Sequence, residues 1–256
     1  MSVIALIPAR YGSTRFPGKP LAADTGRPLI QHVVEQTRQA AAVSRVIVAT
    51  DDARIEQAVR AFGGEVFMTG EHPNGACRIA EVVRNLPGGD DDIILNIQGD
   101  EPETPPALID ALIDALRRDP DVSGLPGAPM ATLASSFADD EDPADPNIVK
   151  LVVSQHNRAL YFSRSLIPFV RDPAEVEDRK SVVLKHPGLY AYRRWFLLKY
   201  VTLPATPLEQ LEKLEQLRVL EHGYSIAVAR VDVRHHGIDT PEQYAEFVRR
   251  WRAGNG

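Results

Sequence analysis

The sequence contains one cysteine, Cys77, and no long apolar run. A single thiol cannot build an internal disulfide framework, and it excludes every multi-cysteine zinc site. No stretch approaches the roughly 20 apolar residues that a helix needs to cross a bilayer, so no membrane insertion is expected. Positive charge is also scarce. The 29 Lys and Arg face 35 Asp and Glu, a formal net charge of −6, which argues against a nucleic-acid binder with its basic face. Met1-Ser-Val-Ile-Ala-Leu-Ile7 runs into Pro8-Ala-Arg10 without the basic start or cleavage site of a secretory signal, so a cytoplasmic setting is expected. What is present is an ordinary globular composition, 44% hydrophobic and 25% charged over 256 residues. A chain of that size buries a large core without disulfides or a structural metal. At roughly 150 residues per domain it falls between one domain and two.

Apolar runs alternate with helix-like segments through the first half. Val3–Ile7, Arg45–Thr50, Glu65–Met68 and Ile93–Ile97 read as strands. Leu29–Ala41, Ala53–Phe62, Ile79–Leu86 and Ala107–Arg118 read as helices. Such alternation with short connections predicts a parallel sheet covered on both faces. Ligands then bind outside the carboxyl ends of the strands, where the loops from Pro8, Asp51 and Gln98 begin. From about Met130 the pattern changes to an acidic, Pro-punctuated loop at 138–146, strand-like Ile148–Val153 and Ala159–Ser163, and a polar stretch around Asp172–Lys180. Thr206-Pro-Leu-Glu209 is a capping box with Pro at the first helical position. The leucines at 208, 211, 214, 217 and 220 then predict one apolar stripe on a single helix ending near Gly223. Ile226–Val233 reads as a late strand and Pro241–Trp251 as a closing helix. The second half reads as an extension of the same sheet with an excursion, not as an independent domain.

Two constellations carry chemistry. Pro8-Ala-Arg-Tyr-Gly-Ser-Thr-Arg-Phe-Pro-Gly-Lys-Pro20 gathers two Arg, one Lys, two Gly and two hydroxyl residues directly after a strand. Glycines let backbone N–H groups approach an anion, and Arg and Lys neutralise it, so this is a candidate polyphosphate cradle. The P-loop order is absent. Gln98-Gly-Asp-Glu-Pro102 follows a strand that is apolar except for Asn96. A carboxylate there is costly to desolvate unless it has a partner, and Mg²⁺ held by Asp100 would be one. Capping of the next helix by Asp100 or Glu101 is the competing explanation. Asp239 in Gly-Ile-Asp-Thr240 is a second candidate ligand, with N-capping of the final helix nearly as good an account on local grounds.

The blocks I-P-A-R-Y-G-S-T-R-F-P-G-K-P-L, N-I-Q-G-D-E-P, A-L-Y-F-S-R-S-L-I-P, H-P-G-L-Y-A-Y-R, T-P-L-E-Q-L-E-K-L-E-Q-L-R and G-I-D-T-P-E run in order from Ile7 to Glu242. Together they resemble the CMP-Kdo synthetases, the 3-deoxy-manno-octulosonate cytidylyltransferases. That resemblance implies an α/β, three-layer sandwich with a mainly parallel Rossmann-like sheet, of the nucleotide-diphospho-sugar transferase type. It implies one nucleotidyltransferase domain, residues 1–125 mainly binding nucleotide and 126–256 mainly binding sugar and forming a homodimer through part of Ile148–Asp172. The implied reaction is Mg²⁺-dependent transfer of CMP from CTP to Kdo, releasing pyrophosphate and feeding lipopolysaccharide assembly in the bacterial cytoplasm. By the same resemblance, Arg10, Ser13, Arg15 and Lys19 hold the triphosphate, with Arg15 and Lys19 also catalytic. Ala9, Gly75 and Arg78 read the cytosine. Asp100 and Asp239 hold the metal and serve catalysis. Gln98, Arg164, His186, Tyr190 and Glu215 hold the sugar acid.

One block departs from the pattern. Where the family reads His-x-Ser-Gly-Thr-Asp-Arg, this chain has His72-Pro-Asn-Gly-Ala-Cys-Arg78. Two hydroxyls and a carboxylate are lost beside the expected base pocket, and Cys77 reads as a small packing residue. Two alternatives follow from this departure. One is a cytidylyltransferase for a related acidic sugar, amino-substituted or sialic-acid-like. The other is a non-catalytic nucleotide-binding regulator.

Overall fold

The computed structural model describes residues 1–118, 127–172, 182–232 and 237–254. The polar stretch expected at Asp172–Lys180 lies, after its first residue, outside the described residues, as does the predicted strand end Val233. The chain divides into two compact units, Met1–Asp110 with His235–Gly256, and Ala111–Arg234. No described helix is long and apolar enough to cross a membrane.

In the first unit, β1 (Val3–Ala9), β2 (Arg45–Thr50), β3 (Glu65–Met68) and β4 (Ile93–Asn96) alternate with α1 (Leu29–Thr37), α2 (Ala53–Ala61) and α3 (Gly75–Asn85); α4 (Pro106–Arg118) follows. The strand order is β3-β2-β1-β4, with every pair parallel. A parallel strand covered on both faces has to be apolar along its whole length. Accordingly Ala5, Leu6, Ile7, Val48, Ile94 and Leu95 are fully buried. The chain adds β2 and β3 on one side of β1, then crosses over to lay β4 on the other. That reversal opens a crevice beyond the carboxyl ends of β1 and β4, the place where open α/β sheets bind ligands.

Two glycines let the backbone close in on this crevice. A Cβ on Gly99 would lie 3.0 Å from the Pro8 carbonyl oxygen, and one on Gly75 would lie 3.1 Å from Pro8 Cγ. The 98–100 loop and the start of α3 therefore both approach the end of β1 more closely than a side chain would allow. α8 (Pro241–Gly254) completes the unit, packing Tyr244, Phe247 and Val248 with Leu29 of α1 and Ile238. The backbone N–H of Asp24 also donates to the Tyr244 hydroxyl at 2.8 Å. The closing segment returns to the first unit because its apolar face is buried there, and it brings Asp239 with it.

In the second unit β5 (Met130–Ser136) pairs in parallel with β10 (Ile226–Val231), and antiparallel with β9 (Tyr190–Arg193) and β8 (Leu184–Lys185). β6 (Lys150–Val153) pairs antiparallel with β8 and with β7 (Ala159–Ser163). The α/β class holds, with the parallel Rossmann-like character concentrated in the first unit. Three short helices accompany this sheet, α5 (Arg194–Tyr200), α6 (Pro207–Glu212) and α7 (Leu217–Glu221).

The leucines from 208 to 220 do not form one helix. The capping box and Pro207 start α6 as predicted, but Lys213 adopts a left-handed conformation (φ 55°) and ends it. The spacing explains the break. Each three-residue step on an α-helix falls about 60° short of a full turn, so five such leucines spiral away from any one buried face. Breaking the helix buries Leu214 and Leu217 and leaves Leu211 80% exposed. Glu215 consequently sits in the turn between α6 and α7, not within a helix as expected.

Two substitutions test this packing by urea unfolding. Phe247→Ala, at a side chain only 1% exposed, is expected to cost about 3–5 kcal/mol. Leu211→Gln is expected to change stability by no more than about 0.5 kcal/mol, as at other exposed positions; a loss comparable to that of Phe247→Ala would restore the continuous stripe.

Candidate active site

The cationic loop after β1 folds back on itself. The Gly18 N–H donates to the Tyr11 carbonyl at 3.0 Å, and the Phe16 N–H donates to Ser13 Oγ at 3.3 Å. The Arg54 guanidinium stacks over the Tyr11 ring at 3.3 Å, a cation–π contact that holds the loop from the side of α2. Arg10 and Arg15 are exposed, whereas Lys19 is mostly covered. Lys19 Nζ donates to Asp100 Oδ2 at 2.8 Å and to the Ile238 carbonyl at 2.5 Å, and Asp239 Oδ1 lies 3.7 Å from the same nitrogen. Asp239 Oδ1 also pairs with Arg15 at 3.1 Å. Four of the predicted residues, separated by up to 224 positions in the chain, therefore meet at the β1–β4 crevice.

Both capping explanations fail for these aspartates. The final helix is capped by Thr240, whose Oγ1 accepts from the Gln243 N–H, while Gln243 Oε1 reaches back to the Asp239 and Thr240 N–H groups. α4 begins only at Pro106, and the Asp100 carboxylate points instead to Lys19. Glu101 is buried, with Thr104 Oγ1 donating to its carbonyl. Ala9 is buried at the end of β1, and Gln98 is half-buried just beyond β4.

At the departing block, Asn74 caps α3 by accepting from the Cys77 N–H at 2.9 Å. Asparagine caps as well as serine, so the change preserves the helix start beside Gly75. Cys77 is half-buried in the first turn. Arg78 is 5% exposed, with Nη1 donating to Thr69 Oγ1 and Nη2 to Asp51 Oδ2, both at 2.7 Å. It therefore ties α3 to the loop after β2.

In the second unit the predicted sugar residues divide into a charged group and a neutral one. The Arg164 backbone N–H donates to Glu212 Oε2, its Nε to the Glu212 carbonyl and its Nη1 to the Pro146 carbonyl, at 2.9, 2.8 and 3.0 Å. Lys150 is fully buried and donates to the Asp145 and Arg164 carbonyls, with its ammonium pKa drawn down by desolvation. These bonds hold the guanidinium fork in place. In the neutral group His186 packs edge-on against Phe162 and beside Tyr190, with ring centroids 4.9 and 5.4 Å away. The Tyr190 hydroxyl donates to Gln216 Oε1 at 3.1 Å. Burial drives the His186 pKa down to about 3 and raises that of Tyr190, so both stay neutral. Desolvation also raises the Glu215 carboxyl, against the pull of Arg218.

The profile of a cytidylyltransferase family matches residues 4–226. The chain is 50% identical over 249 residues to a 3-deoxy-manno-octulosonate cytidylyltransferase of Syntrophobacter fumaroxidans, covering 97% of this chain and 96% of that one. It is 47% identical over 243 residues to an 8-amino-3,8-dideoxy-manno-octulosonate cytidylyltransferase of Shewanella pealeana, covering 94% and 95%. A solved CMP:2-keto-3-deoxy-manno-octonic acid synthetase complexed with CTP superposes with a TM-score of 0.89 at 42% identity, covering 99% of this chain and all of that one. This chain is a cytidylyltransferase.

Sequence reasoning missed several residues of this cytidylyltransferase that position others. Gln216 is 3% exposed, and its Nε2 has no hydrogen-bond partner among the described residues. It lies next to Glu215 and binds Tyr190, yet in the sequence it is one more polar residue in a leucine-rich stretch. Lys150 and Glu212 also gave no signal, because their partners are remote in sequence or are backbone carbonyls.

Two measurements follow for the cytidylyltransferase. Arg78→Met should cost roughly 2–3 kcal/mol in urea, less than a fully buried pair because Asp51 keeps a quarter of its side chain exposed; an unchanged midpoint would remove Arg78 from the framework. The second measurement is of pH dependence. Below the ordinary histidine pKa of 6.5 the unfolded chain binds a proton that native His186 refuses until about pH 3. Stability contributed by this group is therefore full above 6.5 and lost as pH falls. His186→Asn should flatten the decline between pH 6.5 and 5, and a parallel decline would assign it to other groups.

Proposed function

We propose that the enzyme transfers CMP from CTP to 3-deoxy-manno-octulosonate. The anomeric hydroxyl attacks the α-phosphorus and gives its proton to solvent, the bond to the bridging oxygen of the β-phosphate breaks, and pyrophosphate departs. The observation that carries this reading is the convergence of Lys19, Arg15, Asp100 and Asp239 beyond the ends of β1 and β4. No covalent intermediate is required, so the residues act by positioning and by charge neutralisation. Arg10, Arg15 and Lys19 neutralise the phosphates, and Ser13 shapes the loop that carries them. Ala9 and Gly75 border the base. Arg164 pairs with the sugar carboxylate, and Gln98, His186, Tyr190 and Glu215 take up its hydroxyls.

Asp100 and Asp239 would hold Mg²⁺. Their hard oxygens suit it, and among the described residues no three His, Cys, Asp or Glu gather into a closed cage. That donor set fits an ion which completes its shell with phosphate oxygens and water. When bound, such an ion supplies Lewis-acid polarisation of phosphate and hydroxyl oxygens.

The Shewanella relative supports a second reading, transfer to the 8-amino sugar. We also propose a homodimer, a cytoplasmic setting and a product destined for lipopolysaccharide. Leu160, Leu166 and Phe169 are 59%, 49% and 87% exposed within the 148–172 region, an apolar face suited to a second copy.

Pyrophosphate release against a panel of acidic sugars and all four nucleoside triphosphates tests the reading. CTP with Kdo should turn over, EDTA should stop it, and added Mg²⁺ should restore it. Asp100→Asn and Asp239→Asn should each lose at least about 100-fold in kcat, the scale of a removed transition-state contact, with unchanged unfolding midpoints. Near-normal turnover in either variant would take that carboxylate out of the mechanism. Preference for the 8-amino sugar would favour the second reading.

A further inference from the structure

The hydroxyl of Thr132 lies between two groups that together determine its proton. Thr132 is on β5, fully buried, with Oγ1 2.7 Å from the Leu189 carbonyl and 2.8 Å from His186 Nε2. A carbonyl only accepts, so the single hydroxyl proton must go to Leu189. Oγ1 is then left with lone pairs facing His186, and Nε2 must carry the ring proton to meet them. The opposite assignment would set two lone-pair-bearing oxygens 2.7 Å apart with no proton between them.

The rest of the ring's surroundings preserve this state. The His186 backbone N–H is anchored to the Val149 carbonyl at 2.9 Å, and Phe162 and Tyr190 fix the ring plane. Burial keeps the ring neutral over the whole physiological range. A neutral ring protonated on Nε2 has a bare lone pair on Nδ1, and Nδ1 makes no hydrogen bond among the described residues. The ring is half-buried, not sealed.

We propose that Thr132 is a positioning residue that locks His186 in the Nε2–H tautomer, so that Nδ1 serves solely as an acceptor for one hydroxyl of the sugar. This rests on the reading above that His186 faces the sugar, and it adds the polarity of that contact. His186 then selects for a donor at one ring position. A group that can only accept, such as fluorine or a methyl ether, leaves Nδ1 unpaired, and buried unpaired groups are what make such sites discriminate.

The experiment has two arms. In the first, the ¹⁵N spectrum of histidine-labelled, unliganded enzyme is recorded for the wild type, Thr132→Val and Thr132→Ser. The wild type and Thr132→Ser should show His186 protonated on Nε2 alone, and Thr132→Val should show both tautomers. Protonation on Nδ1 in the wild type would overturn the proposal regardless of substrate. In the second arm, Thr132→Val should raise the KM for Kdo about twofold, the cost of drawing the binding tautomer from an evenly mixed population. The KM for CTP should stay unchanged, and Thr132→Ser should restore the wild-type value. Among monofluoro-monodeoxy sugars, one position should be rejected by the wild type and accepted comparably by Thr132→Val. An unchanged sugar KM in a Thr132→Val enzyme whose tautomers are mixed would overturn the role in recognition. Absence of turnover with Kdo by the wild type would instead refute the proposed function and leave the tautomer result standing.

Discussion

The interaction on which the crevice of the first unit depends is the Lys19 ammonium bound between two carboxylates. Two carboxylates in one crevice repel, and by less where water reaches them. A cation between Asp100 and Asp239 offsets that repulsion. Lys19, 2.8 Å from one and 3.7 Å from the other, is that cation. Its carbonyl partner Ile238 is buried in the cluster that α8 makes with α1. The closing helix is therefore part of the site, because its packing against the first unit places Asp239. The same reasoning accounts for the glycines. The loop carrying Asp100 meets Lys19 only because Gly99 lets it pass against the Pro8 carbonyl.

Much of the first unit was legible in the sequence because parallel strands buried on both faces leave an unbroken apolar signature. Glu65–Met68 was predicted residue for residue, and Val3–Ala9 and Ile93–Asn96 within two residues. The second unit was less legible, for physical reasons. β5 reads Met-Ala-Thr-Leu-Ala-Ser-Ser, with small and polar residues that carry no strand signature, yet it is buried between β10 and the β9–β8 edge. β8 is two residues long, and β9 runs directly into α5. The leucine stripe misled because a period of three was taken for a period of 3.6, and the left-handed Lys213 that breaks it is a lysine, not the glycine that usually marks such a turn.

The site residues divided along a similar line. Charged residues at strand ends were conspicuous in the sequence, since a carboxylate after four apolar residues calls for an explanation. Residues that act on other residues were silent. Lys150 is an ordinary lysine in sequence and a buried clamp on the Arg164 carbonyl in the structure. Arg78 was expected at the base, and the structure engages it with Asp51 and Thr69. Its contribution to base recognition would then be to fix the start of α3, and with it Gly75. The changed residues at 74–77 fit this view, because Asn74 retains the cap that orients the same turn.

The two units solve opposite electrostatic problems. A triphosphate brings several negative charges, and in the proposed function the first unit would meet them with exposed Arg10 and Arg15 around the covered Lys19. A sugar acid brings one carboxylate and many hydroxyls. A site built only from cations would bind any anion, nucleotide included. In the second unit Arg164 is the one cation among the predicted sugar residues, and its guanidinium donates to the Glu212 and Pro146 carbonyls. The neighbouring groups are kept neutral by burial, His186 by a lowered pKa and Tyr190 by a raised one. Neutral donors and acceptors of fixed polarity read hydroxyl stereochemistry, which charge cannot. Discrimination among acidic sugars would therefore reside in the directions of these hydrogen bonds, and the residues that set those directions, Thr132 and Gln216, would be as much a part of specificity as those in contact with the sugar.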